Sequence, residues 1–397
     1  MTAVPARPLD GVTVVSLEQA VAAPFATRQL ADLGARVVKV ERPGAGDFAR
    51  GYDESVLGQS SYFVWLNRSK ESVTLDLKAA EGAAVLDELL AGADVFVQNL
   101  APGATARMGL SATELAARFP RLVVCDVSGF GADGPWADRK AYDLLVQAES
   151  GLMSLTGTPE EAVKVGISVA DIAAGMYAYA GILTALLQRA TTGRAPAVRV
   201  SLFEALAEWM GSPAYYTEYG GRSPQRVGGE HATIAPYGPY PTGDGDTVVI
   251  AVQNDREWVR FCAAVLDDAA LAADERFARN SARVTHRAEL NDLIAKRFGG
   301  LTTATVVAAL DEAGVAHARR RTVPEFLAHP VLAGRDRWRQ VATPAGEVRA
   351  LLPPVELAGV TARMDPVPAV GEHTEQVLRA LGRTDDDIAG LRARGVI

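Results

Sequence analysis

VTVVSLEQAVAAPFATRQLADLGARVVKVE, residues 12–41, decides the fold. VTVVSL (12–17) is a short apolar run that reads as a buried strand. APFATRQLADLG (23–34) carries apolar residues at helical spacing and closes on Gly34. RVVKVE (36–41) is apolar again. The segment therefore reads strand–helix–strand.

The alternation continues outward. SVTLDL (72–77) reads as a third strand, KAAEGAAVLDELLAGA (78–93) as an amphipathic helix and DVFVQN (94–99) as a fourth strand. ATELAARF (112–119) is a short helix and LVVCDVS (122–128) a fifth strand. Strands alternating with helices predict a mostly parallel, doubly wound α/β sheet. Long helices are expected at 168–190 and 199–212. Residues 211–246, dense in Gly, Pro and Tyr, read as a linker. The expected division is a large domain over 1–210, the linker, a small α+β domain over 247–329, and a return to the large domain over 330–397.

Composition narrows the function. Of 397 residues, 48% are hydrophobic and 22% charged, the balance of a globular protein. The net charge of −8 argues against non-specific nucleic-acid binding. Residues 168–188 form the most apolar run, but they are rich in Ala and Gly and hold Asp171, so a buried helix fits better than a membrane span. The start MTAVPARPLDG lacks the apolar core of a signal peptide, and a cytoplasmic location is expected. Two cysteines, Cys125 and Cys262, make neither a disulfide framework nor a metal-site pattern, and the five histidines are scattered. No metal site is expected. Gly129, Gly131 and Gly134 satisfy G-x-G-x-x-G, yet they follow the fifth strand and run into Pro135 and Trp136 rather than a helix. They read as a glycine-rich turn at a strand's carboxyl end, where α/β sheets meet ligands.

Asp171 is the lone acid of SVADIAAGMYAYAGILTALLQ (168–188). Two readings stand side by side. Ser168 and Asp171 have capping-box spacing. Alternatively, Ala174, Gly175, Ala178 and Gly181 leave a bare helix face, the helix dipole keeps a first-turn carboxylate ionised, and Asp171 serves as a nucleophile.

Six ordered blocks extend the second reading: residues 9–51, NRSKESVTLDLKAAEG (67–82), VQNLAPGATARMGL (97–110), SGFGADGPW (128–136), DIAAGMYAYAGILTAL (171–186) and GEHTEQVL (371–378). Together they resemble the class III CoA-transferases, the family of formyl-CoA and carnitine CoA-transferases. The resemblance implies a Rossmann-like large domain built from both termini, a smaller domain, and two identical chains interlocked as a homodimer. It implies Asp171 as the nucleophile and Asp143 as an acid near the chemistry. It also implies Arg42, Leu75, Lys78, Asn99 and Arg107 as CoA contacts, and coenzyme A as substrate with no prosthetic group. The expected partners are acyl-CoA and carboxylic acids, with neither nucleic acid nor membrane.

Departures from the family pattern keep alternatives open. A related racemase needs a histidine where Tyr142 stands. A phenol near pKa ~10 shuttles a proton poorly at neutral pH. The glycine-rich flap of formyl-CoA transferase is replaced by GGEHATIAPYGPY (228–240), which offers His231 and Tyr237 as shields, and Val21 stands in a polar position. The alternatives are an α-methylacyl-CoA racemase or a CoA-binding protein without transfer activity. Arg319, Arg320 and Arg321 suggest a grip on the far carboxylate of a diacid, against the simpler reading of a solvated loop.

Overall fold

The computed structural model describes residues 7–397. Contacts divide the chain into two units. The larger takes the chain up to Ser150, Val165–Met210 and Arg335–Ile397; the smaller takes Gly151–Lys164 and Gly211–Gly334.

The larger unit rests on six strands: β1 (Thr13–Leu17), β2 (Arg36–Glu41), β3 (Lys70–Thr74), β4 (Val95–Gln98), β5 (Val123–Ser128) and β6 (Val198–Ser201). They run in the order β3-β2-β1-β4-β5-β6, every neighbour parallel. Between them lie α1 (Ala22–Asp32), α2 (Ser61–Leu66), α3 (Ala80–Ala91), α4 (Ala104–Arg107), α5 (Ala112–Arg118), α6 (Asp143–Glu149), α7 (Val169–Thr192) and α8 (Leu202–Trp209). Helices covering the sheet bury the central strands on both faces, which is why β1, β2 and β4 are mostly apolar, with Ser16 and Lys39 buried among the apolar residues. Val15, Val38, Phe96 and Val124 meet Leu90 and Leu115 in one core. The strand order reverses between β1 and β4, the place where such sheets open a crevice beyond their carboxyl ends.

Glycine decides the first turn. Gly34 ends α1 at φ +110°, and a Cβ there would lie 2.5 Å from Asp10 Oδ1. Only a residue without a side chain lets the chain drop so tightly into β2.

In the smaller unit, β7 (Tyr237–Pro241), β8 (Thr247–Ala251) and β9 (Ala316–Arg319) form an antiparallel sheet. Its helices are α9 (Gly211–Gly220), α10 (Asp255–Arg260), α11 (Asn280–Thr285), α12 (Arg287–Gly299), α13 (Thr303–Ala313), α14 (Val323–Leu327) and α15 (Pro330–Gly334). Trp258, Phe261, Phe277 and Phe298 fill its core. The chain then returns as the hairpin β10 (Trp338–Thr343) and β11 (Gly346–Leu351), followed by α16 (Thr374–Ala380) and α17 (Asp385–Ala393). The last segment is sewn to the sheet edge. Thr74 N donates to Thr374 Oγ1 at 2.9 Å, His373 N to Ser72 O at 2.9 Å, and Asp76 N to Val396 O at 2.7 Å.

Several sequence expectations need correction. Residues 211–246 are not simply a linker, because they hold α9 and β7. A sixth strand lies at Val198–Ser201, where a helix from 199 was expected. The third strand begins two residues earlier, at Lys70. Lys70 and Ser72 are buried there against polar partners that the local pattern does not reveal.

Candidate active site

Asp171 is the third residue of α7, a 24-residue helix. Its position follows from close packing. A Cβ on Gly175, one turn further on, would lie 2.6 Å from the carbonyl oxygen of Ala22 and 3.1 Å from Phe25. A Cβ on Gly181 would meet Val198 of β6 at 2.7 Å. The bare face that seemed open for a ligand is therefore filled by protein backbone and side chains. Gly175 seats the first turns of α7 against the start of α1, which leaves β1 at the sheet's carboxyl edge. Asp171 is thereby placed near that edge.

The capping box expected from Ser168 and Asp171 does not form: the Ser168 side chain makes no cap hydrogen bond. The cap comes from α6. Ala170 N donates to Asp143 Oδ1 at 2.7 Å and Asp171 N donates to the same oxygen at 3.3 Å. Asp143 is held in turn by Gln147, whose Nε2 donates to Asp143 Oδ2 at 2.7 Å, while Val165 N donates to Gln147 Oε1 at 2.9 Å. Gln147 is fully buried. Sequence reasoning missed it. The i,i+4 spacing of Asp143 and Gln147 on one helix face was the available signal.

This arrangement sets the character of Asp171. Its carboxyl oxygens accept no hydrogen bond from the described residues, and neither is among the sealed polar atoms; the residue is only partly buried. Loss of water, then the negative charge of Asp143, push its pKa from 3.8 to about 7. The expectation that the helix dipole keeps it ionised is corrected. The first-turn N–H groups that carry the positive end of that dipole are spent on Asp143.

Tyr52 lies within electrostatic reach. Burial first, then Asp47, Asp171 and Tyr142, raise its phenol to about 12. Tyr52 packs edge-on to Tyr62, with ring centroids 5.5 Å apart, and beside Phe48 at 5.7 Å. Tyr142 is exposed at the start of α6.

A buried polar network fixes the loop between β1 and α1. Lys39 Nζ donates to Asp47 Oδ2 at 2.6 Å and Lys70 Nζ to Glu18 Oε1 at 2.7 Å, with both lysines also donating to Asn67 Oδ1. Asp47 Oδ1 accepts from Ala20 N at 3.2 Å, and Ala20 sits at φ +61°. Left-handed backbone at an alanine persists only where its surroundings hold it, and here Asp47 does so.

The expected CoA contacts fall into three groups. Arg42, Lys78 and Arg107 are exposed and lie beyond the carboxyl ends of β2, β3 and β4. Asn99 follows β4, but its amide is engaged at both ends: Gln19 N donates to its Oδ1 at 2.8 Å and its Nδ2 donates to Gln19 O at 2.8 Å. Asn99 thus ties the loops after β1 and β4 together across the strand-order reversal. Leu75 is a correction. It is 1% exposed inside the main core, so its side chain lines no open slot. In the smaller unit, Arg319 is already paired with Asp246, while Arg320 and Arg321 are exposed. His231 and Tyr237 stack on each other, centroids 5.1 Å apart. Among the described residues, no group of three His, Cys, Asp or Glu side chains is placed to hold a metal.

Comparison with known proteins identifies the family. The chain is 35% identical over 398 residues to succinyl-CoA–D-citramalate CoA-transferase of Chloroflexus aurantiacus, covering 99% of each. It is 32% identical over 397 residues to human succinyl-CoA:glutarate CoA-transferase, covering 98% of this chain and 90% of that one. Among solved structures, a CAIB/BAIF family protein from Brucella suis superposes with a TM-score of 0.83 at 35% identity, over 95% of this chain and all of that one. A family model described as CoA-transferase family III matches residues 9–374. The chain belongs to CoA-transferase family III and is a CoA-transferase.

Proposed function

We propose that this enzyme moves CoA from an acyl-CoA thioester to a free dicarboxylic acid through a covalent intermediate on Asp171. One observation carries the proposal. A carboxyl group stands in the first turn of α7, partly buried, accepting no hydrogen bond from the described residues and not sealed from solvent. A carboxylate freed of hydrogen bonds and most of its water is a better nucleophile than a solvated one.

The steps balance without ATP. Ionised Asp171 attacks the donor thioester carbonyl, and the carbon–sulfur bond breaks to give an acyl-aspartyl anhydride and CoA thiolate. The thiolate attacks the aspartyl carbonyl, releasing donor carboxylate and leaving an aspartyl thioester. The acceptor carboxylate attacks that thioester, forming a new anhydride and freeing the thiolate again. The thiolate then attacks the acceptor's carbonyl, giving the new acyl-CoA and restoring Asp171. Asp143, holding the start of α7, raises the energy of the resting carboxylate, and that cost disappears once Asp171 is acylated and neutral.

Arg42, Lys78 and Arg107 suit CoA as unpaired cations beyond the sheet's carboxyl edge, where its phosphates need charge. Asn99 fits a supporting role through the loop it holds. The dicarboxylate acceptor is supported by the relatives named for glutarate and D-citramalate. Arg320 and Arg321, two of the exposed arginines of the smaller unit, carry the kind of charge that pairs with a carboxylate. The homodimer reading is supported by apolar side chains left exposed on α6 and α7, among them Leu144, Leu145, Met176, Tyr177 and Leu187. A cytoplasmic location is compatible with two buried free thiols.

The test is direct. The protein is mixed with succinyl-CoA, quenched in acid and digested, and the peptide holding Asp171 is weighed. A mass increase that Asp171→Ala abolishes supports transfer. Bound CoA without any adduct would leave a binding protein instead. A panel of monoacids and diacids then assigns the acceptor, with strong preference for a monoacid refuting the dicarboxylate part.

A further inference from the structure

A cleft of about 450 Å³ lies in the larger unit between the middle of α1, α2 and the β10–β11 hairpin, and Asp171 is not among the residues that line it. Its size is that of a small-molecule site. Two indole rings, Trp65 and Trp338, and valines 64, 341 and 348 give it mostly apolar walls. Three arginines border it, Arg28, Arg68 and Arg349, and no acid does.

The charge balance beneath the cleft is uneven. Arg68 holds Asp32 through two hydrogen bonds, from Nε and Nη2, both 2.8 Å. Arg28 Nη1 donates to Asp32 as well, at 2.6 Å. Two guanidinium groups thus share one carboxylate, leaving one positive charge in excess. Arg28 is 6% exposed, yet its Nε has no partner and only one of its donors is engaged. That is unlike the other buried cations. Lys39 and Lys70 are enclosed by Glu18, Asp47 and Asn67. Arg283 in the smaller unit donates to Ala235 O, Phe277 O and Asp255. Nε is sealed, but Nη2 is neither bonded among the described residues nor one of the sealed atoms, so it is the donor of this guanidinium that can meet an acceptor in the cleft. The rim is firm: Arg337 grips the carbonyls of Leu352 and Pro353, and Arg349 stacks over Trp338 at 4.9 Å.

We propose that this cleft binds a small organic anion, a carboxylate on an apolar frame, with its head on Arg28 and Arg68 and its frame between Trp65 and Trp338. The apolar walls select the frame and the surplus guanidinium charge selects the carboxylate. Asp171 does not line this site, and binding there does not depend on the covalent mechanism.

The experiment titrates octanoate, and in parallel its neutral counterpart octanamide, into the full-length protein without acyl-CoA. Tryptophan fluorescence and calorimetry give the affinities. Octanoate is expected to saturate at one per chain, with octanamide at least tenfold weaker. Trp338→Ala and Arg28→Gln are each expected to weaken octanoate at least fivefold, with folding checked by circular dichroism. Ala350→Trp, which fills the cleft from the hairpin, serves if Arg28→Gln misfolds, and is expected to abolish binding. Asp171→Asn is expected to leave octanoate binding unchanged. Equal affinity for the two ligands, absence of saturable binding, or loss of binding in Asp171→Asn overturns the proposal. So does an Ala350→Trp variant that breaks up an oligomer, because a second chain would then fill the cleft.

Discussion

Replacing the proposed nucleophile, Asp171→Asn, is expected to stabilise the protein, by a margin that grows as pH rises from 3.8 to about 7. The folded chain binds a proton at Asp171 more tightly than the unfolded chain does, with a pKa of about 7 against 3.8. Below the lower value both states are protonated and the carboxyl contributes nothing pH-dependent. Between the two values unfolding releases a proton, so stability falls as pH rises. Above about 7 the full cost of ionising Asp171 in place is present. Moving a carboxyl that far corresponds to about 4 kcal/mol as a ceiling. Asp171 keeps some contact with water, so screening reduces this to roughly 1–3 kcal/mol. Asparagine keeps the size and removes the charge. Urea unfolding of both proteins at steps from pH 5 to pH 9, following the transition of the larger unit, reads the difference. It should widen as pH rises and level off above about 7. An asparagine variant less stable than the parent at pH 8, or one whose advantage is flat across that range, refutes the reasoning.

Three further outcomes follow from the same geometry. The pH profile of kcat/KM should rise through a midpoint near 7 as Asp171 ionises; Asp143→Asn keeps an acceptor for Ala170 N but removes the charge, so the midpoint should move to lower pH. Gly175→Ala separates two arguments by sign. Helix propensity favours alanine by about 1 kcal/mol, but the contact with the Ala22 carbonyl predicts a net loss of about 1–3 kcal/mol in unfolding experiments. Lys39→Met leaves Asp47 and Glu18 buried without their shared cation and should cost about 3–5 kcal/mol, read as a fall in the urea midpoint.

What the sequence revealed follows how far each interaction reaches along the chain. Strands β1, β2, β4 and β5 were legible because burial on both faces makes short segments rich in Val and other apolar residues. β6 was not. It has four residues, places Arg199 in the middle and runs straight into α8. α9 and β7 hid inside a Gly-, Pro- and Tyr-rich stretch whose composition resembles a loop. In the site, Asp171 stood out as the one acid of an apolar helix. Its cap did not, because Asp143 lies 27 residues from Ala170 in sequence and on another helix. Asn99 was singled out by resemblance as a CoA contact, and its bonds to the Gln19 backbone were not legible because the strand order brings together positions 80 residues apart.

The site joins two demands that oppose each other. A helix start offers N–H groups that hold a carboxylate ionised and quiet. Chemistry at Asp171 needs a carboxylate that is ionised and reactive. The fold meets both by giving the helix N–H groups to a neighbour, Asp143, and leaving Asp171 without donors. The helix is capped, so α7 keeps its first turn. The repulsion between two acids then falls on the one that is free to react. In the proposed mechanism acylation neutralises Asp171 and removes that repulsion, so part of the cost of holding the resting carboxylate is returned at that step. Asp143 is held by the Gln147 amide, which donates to Oδ2, and by two backbone N–H groups, which donate to Oδ1. Gln147→Glu turns the argument around: a third acid in place of the donor should drive a proton onto the cluster, loosen the start of α7 and lower kcat, even though the side chain keeps nearly the same shape.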